Sequence, residues 1–219
     1  IYITICTKPD IEFIVGMLGR FQANPGESHW IAAKKVLRYL QRTKGYMLVY
    51  GKEENLELIG YTDSDLAGDI DDRKSTGSYV FMFGGGAVSW KSAKQTIIAT
   101  STMEAEFIAC FEGMKQAVWL RNFLTDLKIV DSVQRPIKMH CDNNSAVFFA
   151  KNNRRTSASR LMDVKFLKVR EKVREGAIQV EHLSTNLMIA DPLTKALPIG
   201  VFKAHVSRMG VLESFDQWE

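Results

Sequence analysis

The chain has 219 residues, 46% of them hydrophobic, and a formal net charge of +4. That is enough to bury one core or a core and a half. No apolar run approaches the length of a bilayer span, and no signal peptide is expected ahead of the strand-like opening IYITIC. Cys6, Cys110 and Cys141 are too widely spaced for a disulfide framework or a zinc knuckle, so reduced intracellular chemistry is expected.

The first elements are helical. Asp10 precedes apolar Ile11, Ile14, Leu18 and Phe21 and reads as an N-cap. Asn24-Pro25-Gly26 is a turn, and Ser28 caps a second amphipathic helix with Trp30, Ala33, Leu37 and Leu40 on one face. His29 and Trp30 read as packing residues. Tyr46 to Tyr50 is a short strand, and polar Gly51 to Asn55 is a boundary.

Leu56 to Gly68 then reads as a buried strand that delivers Asp63 at its C-terminal end. An acidic loop with Asp69, Asp71 and Asp72 reads as solvated. Ser78 to Phe83 and Ala87 to Trp90 are two strands of a hairpin turned at Gly84-Gly85-Gly86. Ser101 and Glu104 have capping-box spacing ahead of a helix running to about Leu127. Its core candidates are Phe107, Phe111, Met114, Val118 and Leu124. A second stripe, Ala109, Cys110, Gly113 and Ala117, is small enough for close approach to a sheet, with Glu106 at its head.

Ile137 to Asp142 is a strand that again ends in Asp, and Asp142 or Asn143 caps the helix that follows to Lys151. A basic stretch comes next. From Lys151 to Arg174 nine basic residues stand against two acidic ones, a local +7 that leaves about −3 elsewhere. A charged helix of this kind is ordinarily a solvated face, but it is also how a polyphosphate-facing surface is built. Its helical part spans Asp163 to Glu175. Ile178 to Leu183 is a fifth strand, a helix near Ile189 or Ala190 carries Asp191, and a final helix covers Val201 to Met209.

A mixed α/β sheet with helices on its faces gathers functional groups at the carboxyl edge of its strands. Asp63, Asp142, Asp191 and a helical glutamate would meet there. Oxygen ligands without His or Cys partners suit a hard cation, Mg²⁺ or Mn²⁺. Two such ions about 4 Å apart can act together on a phosphodiester.

IGYTDSDLAGD, DRKSTGSYVFMFGGGAVSWKSAKQ, STMEAEFIA, CDNNSA and MIADPLTKALP resemble the ribonuclease H domain of copia-type LTR retrotransposon Pol polyproteins, plant members above all. The resemblance runs from about Leu58 to Pro198. The first forty-odd residues resemble the C-terminal end of the same family's reverse transcriptase, without its YxDD signature. Opening on Ile1, the chain reads as a piece of such a polyprotein. The resemblance implies a ribonuclease H-like fold with a five-stranded mixed sheet. It divides the chain into a reverse transcriptase remnant (1–52), a ribonuclease H domain (53–198) and a C-terminal helix and tail (199–219).

It implies a two-metal endonuclease that cuts the RNA strand of RNA–DNA hybrids, with the upstream reverse transcriptase as a partner and a cytoplasmic virus-like particle as its location. Asp63, Asp142 and Asp191 match three of the family's four carboxylates. The fourth is Glu104 or Glu106, about 200° apart on the helix. AEFIA and the small stripe favour Glu106. His182, nine residues before Asp191, stands near the mobile histidine that helps product leave. Arg154, Arg155, Arg160 and Lys165 would contact nucleic-acid phosphates. Leu161 stands where relatives carry histidine, which implies a decayed or fragmentary copy. The alternative reading is an inactive remnant that only binds nucleic acid.

Overall fold

The computed structural model describes residues 2–51, 56–128, 135–152 and 160–213, with residues 160–163 described by their backbone alone. Three helices come first: α1 (Tyr2–Cys6), α2 (Glu12–Gly19) and α3 (Glu27–Arg42). Then follow β1 (Met47–Leu48), β2 (Ile59–Ser64), β3 (Thr76–Phe83), β4 (Gly86–Lys94) and the long α4 (Thr102–Leu127). The chain continues through β5 (Ile137–Cys141), α5 (Asn144–Lys151), α6 (Arg160–Arg174), β6 (Ile178–His182), α7 (Ile199–Arg208) and β7 (Val211–Leu212). Single 3-10 turns occur at Pro9–Ile11, Thr185–Leu187 and Asp191–Leu193.

Five strands form one mixed sheet in the order β4-β3-β2-β5-β6. β2, β3 and β4 are an antiparallel meander, while β5 runs parallel to β2 and β6 parallel to β5. Gly84 and Gly85 close the β3–β4 hairpin at φ of 57° and 73°, values that suit the tight turn between right-twisted strands. β4 runs on past the expected Trp90 to Lys94, because β3 starts earlier, at Thr76, and pairs with the added residues.

One face of the sheet is covered by α4, α5 and α6. The small stripe on α4 is buried, and a Cβ added at Gly113 would lie 2.6 Å from Thr62 Cγ2 and 3.0 Å from Met139 Cε. That absence of a side chain lets the helix lie close on β2 and β5. Phe81, Phe107, Met139, Phe166 and Ile178 fill this core, with the Phe107 and Phe166 rings 4.1 Å apart. Burying side chains of this size is worth about 1.5–3 kcal/mol each. Val80, Met82 and Ala87 face the other way, under Met188–Ala190, Leu193, Val206, Met209 and Val211. Tyr46 and Leu48 pack on this second core. β1 pairs antiparallel with β7, and Val49 N–H donates to Gly210 O at 2.8 Å. Residues from all three expected segments therefore share one sheet face.

Several local expectations are corrected. Within the opening IYITIC, Tyr2–Cys6 is not a strand but α1: Thr4 is buried and its carbonyl accepts from Trp90 Nε1 at 2.7 Å, a tertiary contact that overrides β-branched propensity. Asp10 does not cap a helix. It is buried in a 3-10 turn and accepts from the Tyr39 hydroxyl at 2.6 Å. α3 starts before Ser28, and Gly26 N–H donates to His29 Nδ1 at 2.9 Å. His29 does pack, stacked on Phe21 at 4.0 Å, but Trp30 is 61% exposed. Asp69 and Asp72 are ion-paired rather than solvated. Lys94 Nζ lies 2.7 Å and 2.9 Å from them, and Arg20 Nη1 lies 3.1 Å from Asp69. The Lys94 contact helps hold the Asp69 carboxyl down at about 2. The expected helix near Ile189 is a single 3-10 turn, and β7 was not expected. Among the described residues no helix is long and apolar enough to cross a membrane.

Candidate metal centre

Because β5 lies parallel beside β2, their C-terminal ends share one margin of the sheet. Thr62 is in register with Cys141, so Asp63 and Asp142 each stand one residue beyond a paired position, on strands about 4.8 Å apart. α4 brings the third carboxylate. Glu106 lies seven residues before Gly113, two helical turns along the same sheet-facing stripe. There it is 5% exposed, and its Oε1 accepts from Ser64 N–H at 3.0 Å. Glu104 faces the other way. Its Oε2 accepts from Thr100 N–H at 2.8 Å and from the Thr100 hydroxyl at 2.6 Å, while Ser101 Oγ accepts from Glu104 N–H at 3.2 Å. Glu104 closes the helix start, and Glu106 faces the margin.

The fourth carboxylate arrives from the opposite face. Asp191 begins the 3-10 turn after β6, and that turn is tied to the sheet by hydroxyls. Ser78 Oγ donates to Ala190 O at 3.2 Å, Ser92 Oγ to Leu193 O at 2.6 Å, and Thr194 Oγ1 to Asp63 Oδ2. Ligand atoms of Asp63, Asp142 and Asp191 all lie within 4.8 Å of one another, and Glu106 forms a second such group with Asp142 and Cys141. The cap of α5 is Asn143, whose Oδ1 accepts from Ala146 N–H at 3.0 Å. Asp142 is thereby left half-buried at the mouth, its Oδ2 accepting from the Thr185 hydroxyl at 3.0 Å.

Buried like charges at this spacing resist ionisation. Burial, with Asp63 and Asp142 adding to it, pushes the Glu106 carboxyl well above the usual range. Burial also raises Asp63, against the pull of Lys195 and Thr194. Asp191 is pushed up to about 7 by burial and by Asp63. Lys195 Nζ, 3.1 Å from Asp191 Oδ1 and 3.6 Å from Asp63 Oδ2, supplies the positive charge beside them. Burial opposes its own charge, but the two aspartates outweigh that and hold it protonated. Asp63 Oδ1 is buried and accepts no hydrogen bond from the described residues. A margin of four carboxylates with excess negative charge and a bare buried acceptor fits a divalent cation.

His182 ends β6 at the same margin, exposed, with Nε2 3.2 Å from Asp142 O. Lys165 lies on α6 with Nζ 4.2 Å from the Phe111 ring centre and 3.9 Å from Glu112 Oε1, so its ammonium is engaged in packing α6 onto α4. Arg154 and Arg155 lie outside the described residues. Arg160 opens α6, its side chain and that of Leu161 likewise outside. His140 packs against Tyr61, ring centres 5.1 Å apart. Sequence reasoning assigned nothing to Thr194, Lys195, Ser78 or Ser92. Lys195 had a signal, since it follows Asp191 by four residues, the spacing of a local ion pair. The serines had none.

No family model matches the chain. The retrovirus-related Pol polyprotein from transposon TNT 1-94 of Nicotiana tabacum is 43% identical over 202 residues, 92% of this chain and 15% of that protein. The retrovirus-related Pol polyprotein from transposon RE1 of Arabidopsis thaliana is 35% identical over 205 residues, 94% of this chain and 14% of that protein. The crystal structure of LC11-RNase H1 in complex with RNA/DNA hybrid is similar over 63% of this chain and 94% of that one, at 20% identity and a TM-score of 0.47. The mixed five-stranded sheet with its flanking helices is a ribonuclease H-like fold. The chain belongs to the copia-type retrotransposon Pol polyproteins, and it spans about 15% of the length of the two relatives.

Proposed function

We propose that this chain carries a ribonuclease H that hydrolyses the RNA strand of RNA–DNA hybrids, using two divalent ions, Mg²⁺ or Mn²⁺, held by Asp63, Glu106, Asp142 and Asp191. The observation that carries this reading is the meeting of four carboxylates, drawn from β2, α4, the end of β5 and a 3-10 turn, at one sheet margin. When bound, such ions activate water and stabilise the charge that develops on a phosphodiester.

The protein's own groups hold that arrangement in place. Glu106 is anchored through Ser64 N–H, and Asp63 through the Thr194 hydroxyl. Asp142, the carboxylate nearest solvent, meets substrate first, and Thr185 fixes its orientation. His182, exposed beside Asp142, helps the product leave. Arg154, Arg155 and Arg160 contact phosphates of the hybrid, which is recognised by shape and 2′-hydroxyl rather than by base edges. Lys165 joins them only by giving up Glu112. Residues 1–52 derive from the end of a reverse transcriptase whose upstream part is the partner, and the whole polyprotein works in a cytoplasmic particle.

A gel assay on labelled RNA–DNA hybrid with Mg²⁺ tests this. Cleavage of the RNA strand is expected, falling at least about a thousandfold in Asp142→Asn, the scale on which losing one member of a concerted site is felt. Hybrid binding without cleavage in Mg²⁺ or Mn²⁺ would assign the chain to the inactive, binding-only reading instead.

A further inference from the structure

A cavity of about 280 Å³ opens between the β3–β4 hairpin, α4 and α6. Small residues meet there: Gly77 on β3, Ala93 on β4 and Ala109 on α4 leave space that larger side chains would fill. The volume is just under that of ordinary small-molecule sites, about 300–1,000 Å³. Its charge is one-sided. Among the described residues Lys91, Lys94, Lys115 and Lys165 line it against one acid, Glu112. Lys94 is neutralised outside the cavity, by Asp69 and Asp72. Lys115 Nζ lies 2.6 Å from Glu112 Oε2 and Lys165 Nζ 3.9 Å from Glu112 Oε1, so two ammoniums share one carboxylate. Burial lowers the Lys165 ammonium, Glu112 opposes that, and nearby Lys115 adds to it. Lys91, in register with Tyr79 on β3, is exposed and has no ion-pair partner among the described residues. A cleft lined by one sign of charge concentrates the opposite ion. A second observation points the same way. Gln95, 7% exposed, belongs to the same lining. Its Nε2 donates to Ser64 Oγ at 3.1 Å and to Ala105 O at 2.9 Å, while its buried Oε1 accepts nothing from the described residues. A buried acceptor without a donor is a position a ligand can satisfy.

We propose that this cavity binds a small phosphate monoester bearing hydroxyl groups, with Lys91, Lys115 and Lys165 on the phosphate and Gln95 Oε1 accepting from a hydroxyl. Lysine meets phosphate as a point charge, so three converging ammoniums hold it without a fixed fork. None of the four carboxylates at the sheet margin takes part. On α4, Lys115 is nine residues beyond Glu106, ~13 Å along the helix axis at ~1.5 Å per residue. The site is separate from the metal centre and does not require that the chain cleave RNA.

The test titrates the full chain with 5′-AMP in EDTA, where no divalent ion can bridge phosphate to the carboxylates. Isothermal titration calorimetry reads the binding, and circular dichroism reports the fold. We expect saturation at one AMP per chain. Lys115→Gln and Lys91→Gln should each raise the Kd about tenfold, the scale of one hydrogen bond to a charged group. Ala93→Leu keeps every cation but fills the space, and it should raise the Kd at least as much. Lys35→Gln, an exposed cation on α3 outside the lining, should leave the Kd unchanged. No saturable binding by the parent chain overturns the proposal. So does an unchanged Kd in either folded lysine variant at the cavity or in folded Ala93→Leu, or an equal rise in Lys35→Gln. Competition then separates two sources of the same chemistry. A 5′-phosphorylated trinucleotide that displaces AMP assigns the site to strand ends, and one that does not assigns it to a free nucleotide. Because the titration is metal-free, loss of Mg²⁺-dependent hybrid cleavage leaves it untouched, and the two readings fail separately.

Discussion

On one face of the sheet a single 26-residue helix, α4, lays Phe107, Met114 and Leu120 over Phe81 and Met139. On the other, the cover is assembled from the ten residues of α7, a three-residue 3-10 turn and the two-residue strands β1 and β7. The first core is local and periodic; the second closes only when residues near 48, 80, 190 and 210 have found one another. The carboxylates stand where the two meet. Glu106 comes from the first side, Asp191 from the second, and Asp63 and Asp142 from the strands between. A margin built this way depends on both cores at once.

Five measurements bear on that contrast. Phe107→Ala, at a fully buried position on α4, should cost about 3–5 kcal/mol in urea denaturation, the range for emptying a large aromatic from a core. Met209→Ala on the other face should cost about 2–5 kcal/mol and still give one cooperative transition. A separate early transition would show that the patchwork face melts alone, and the dependence on both cores would be lost. Gly113→Ala tests the closeness of α4 to the sheet. The new methyl meets the stiff Thr62 side chain at 2.6 Å, so a net loss of about 1–3 kcal/mol is expected in spite of alanine's helix propensity.

The pH dependence of the metal-free chain probes the seam itself. Asp191 titrates near 7 when folded against 3.8 as its ordinary value, and Asp63 and Glu106 are raised as well. Between those values the folded state binds more protons than the unfolded one, so these groups make stability fall as pH rises. Thermal melting without metal should therefore rise on acidification from pH 8 to pH 5, and divalent ion should reduce that gain by favouring the ionised carboxylates. A flat or inverted profile would show that Asp63, Glu106 and Asp191 are not pushed up in the folded chain. The smallest effect belongs to Arg20→Ala, which removes an ion pair to Asp69 and should cost at most about 1 kcal/mol by chemical denaturation.

Asp63 and Asp142 were readable because a strand that alternates and then stops announces which residue stands at its end. Glu106 was readable from the AEFIA resemblance and from period. Two residues apart on a helix is nearly the opposite side, and only Glu106 shares a side with Ala109, Cys110, Gly113 and Ala117. The hidden parts lack any period. Nothing in Ser78 or Ser92 marks a hydroxyl that ties a distant turn to the sheet, and nothing in IYITIC marks a helix whose carbonyl meets Trp90. β7 is two residues long and exists only because β1 lies beside it.

By itself the sequence determined the five strands of the main sheet, the long helix, its sheet-facing stripe and the acids poised at their ends, because each follows from spacing along a few neighbouring residues. Tertiary structure alone decided which distant segments cover the second face, where Lys195 stands among the aspartates, and how near Cys141 comes to Glu106. Those are distances between residues far apart in the chain, as Thr194 is 131 positions from Asp63, and only the closed fold defines them.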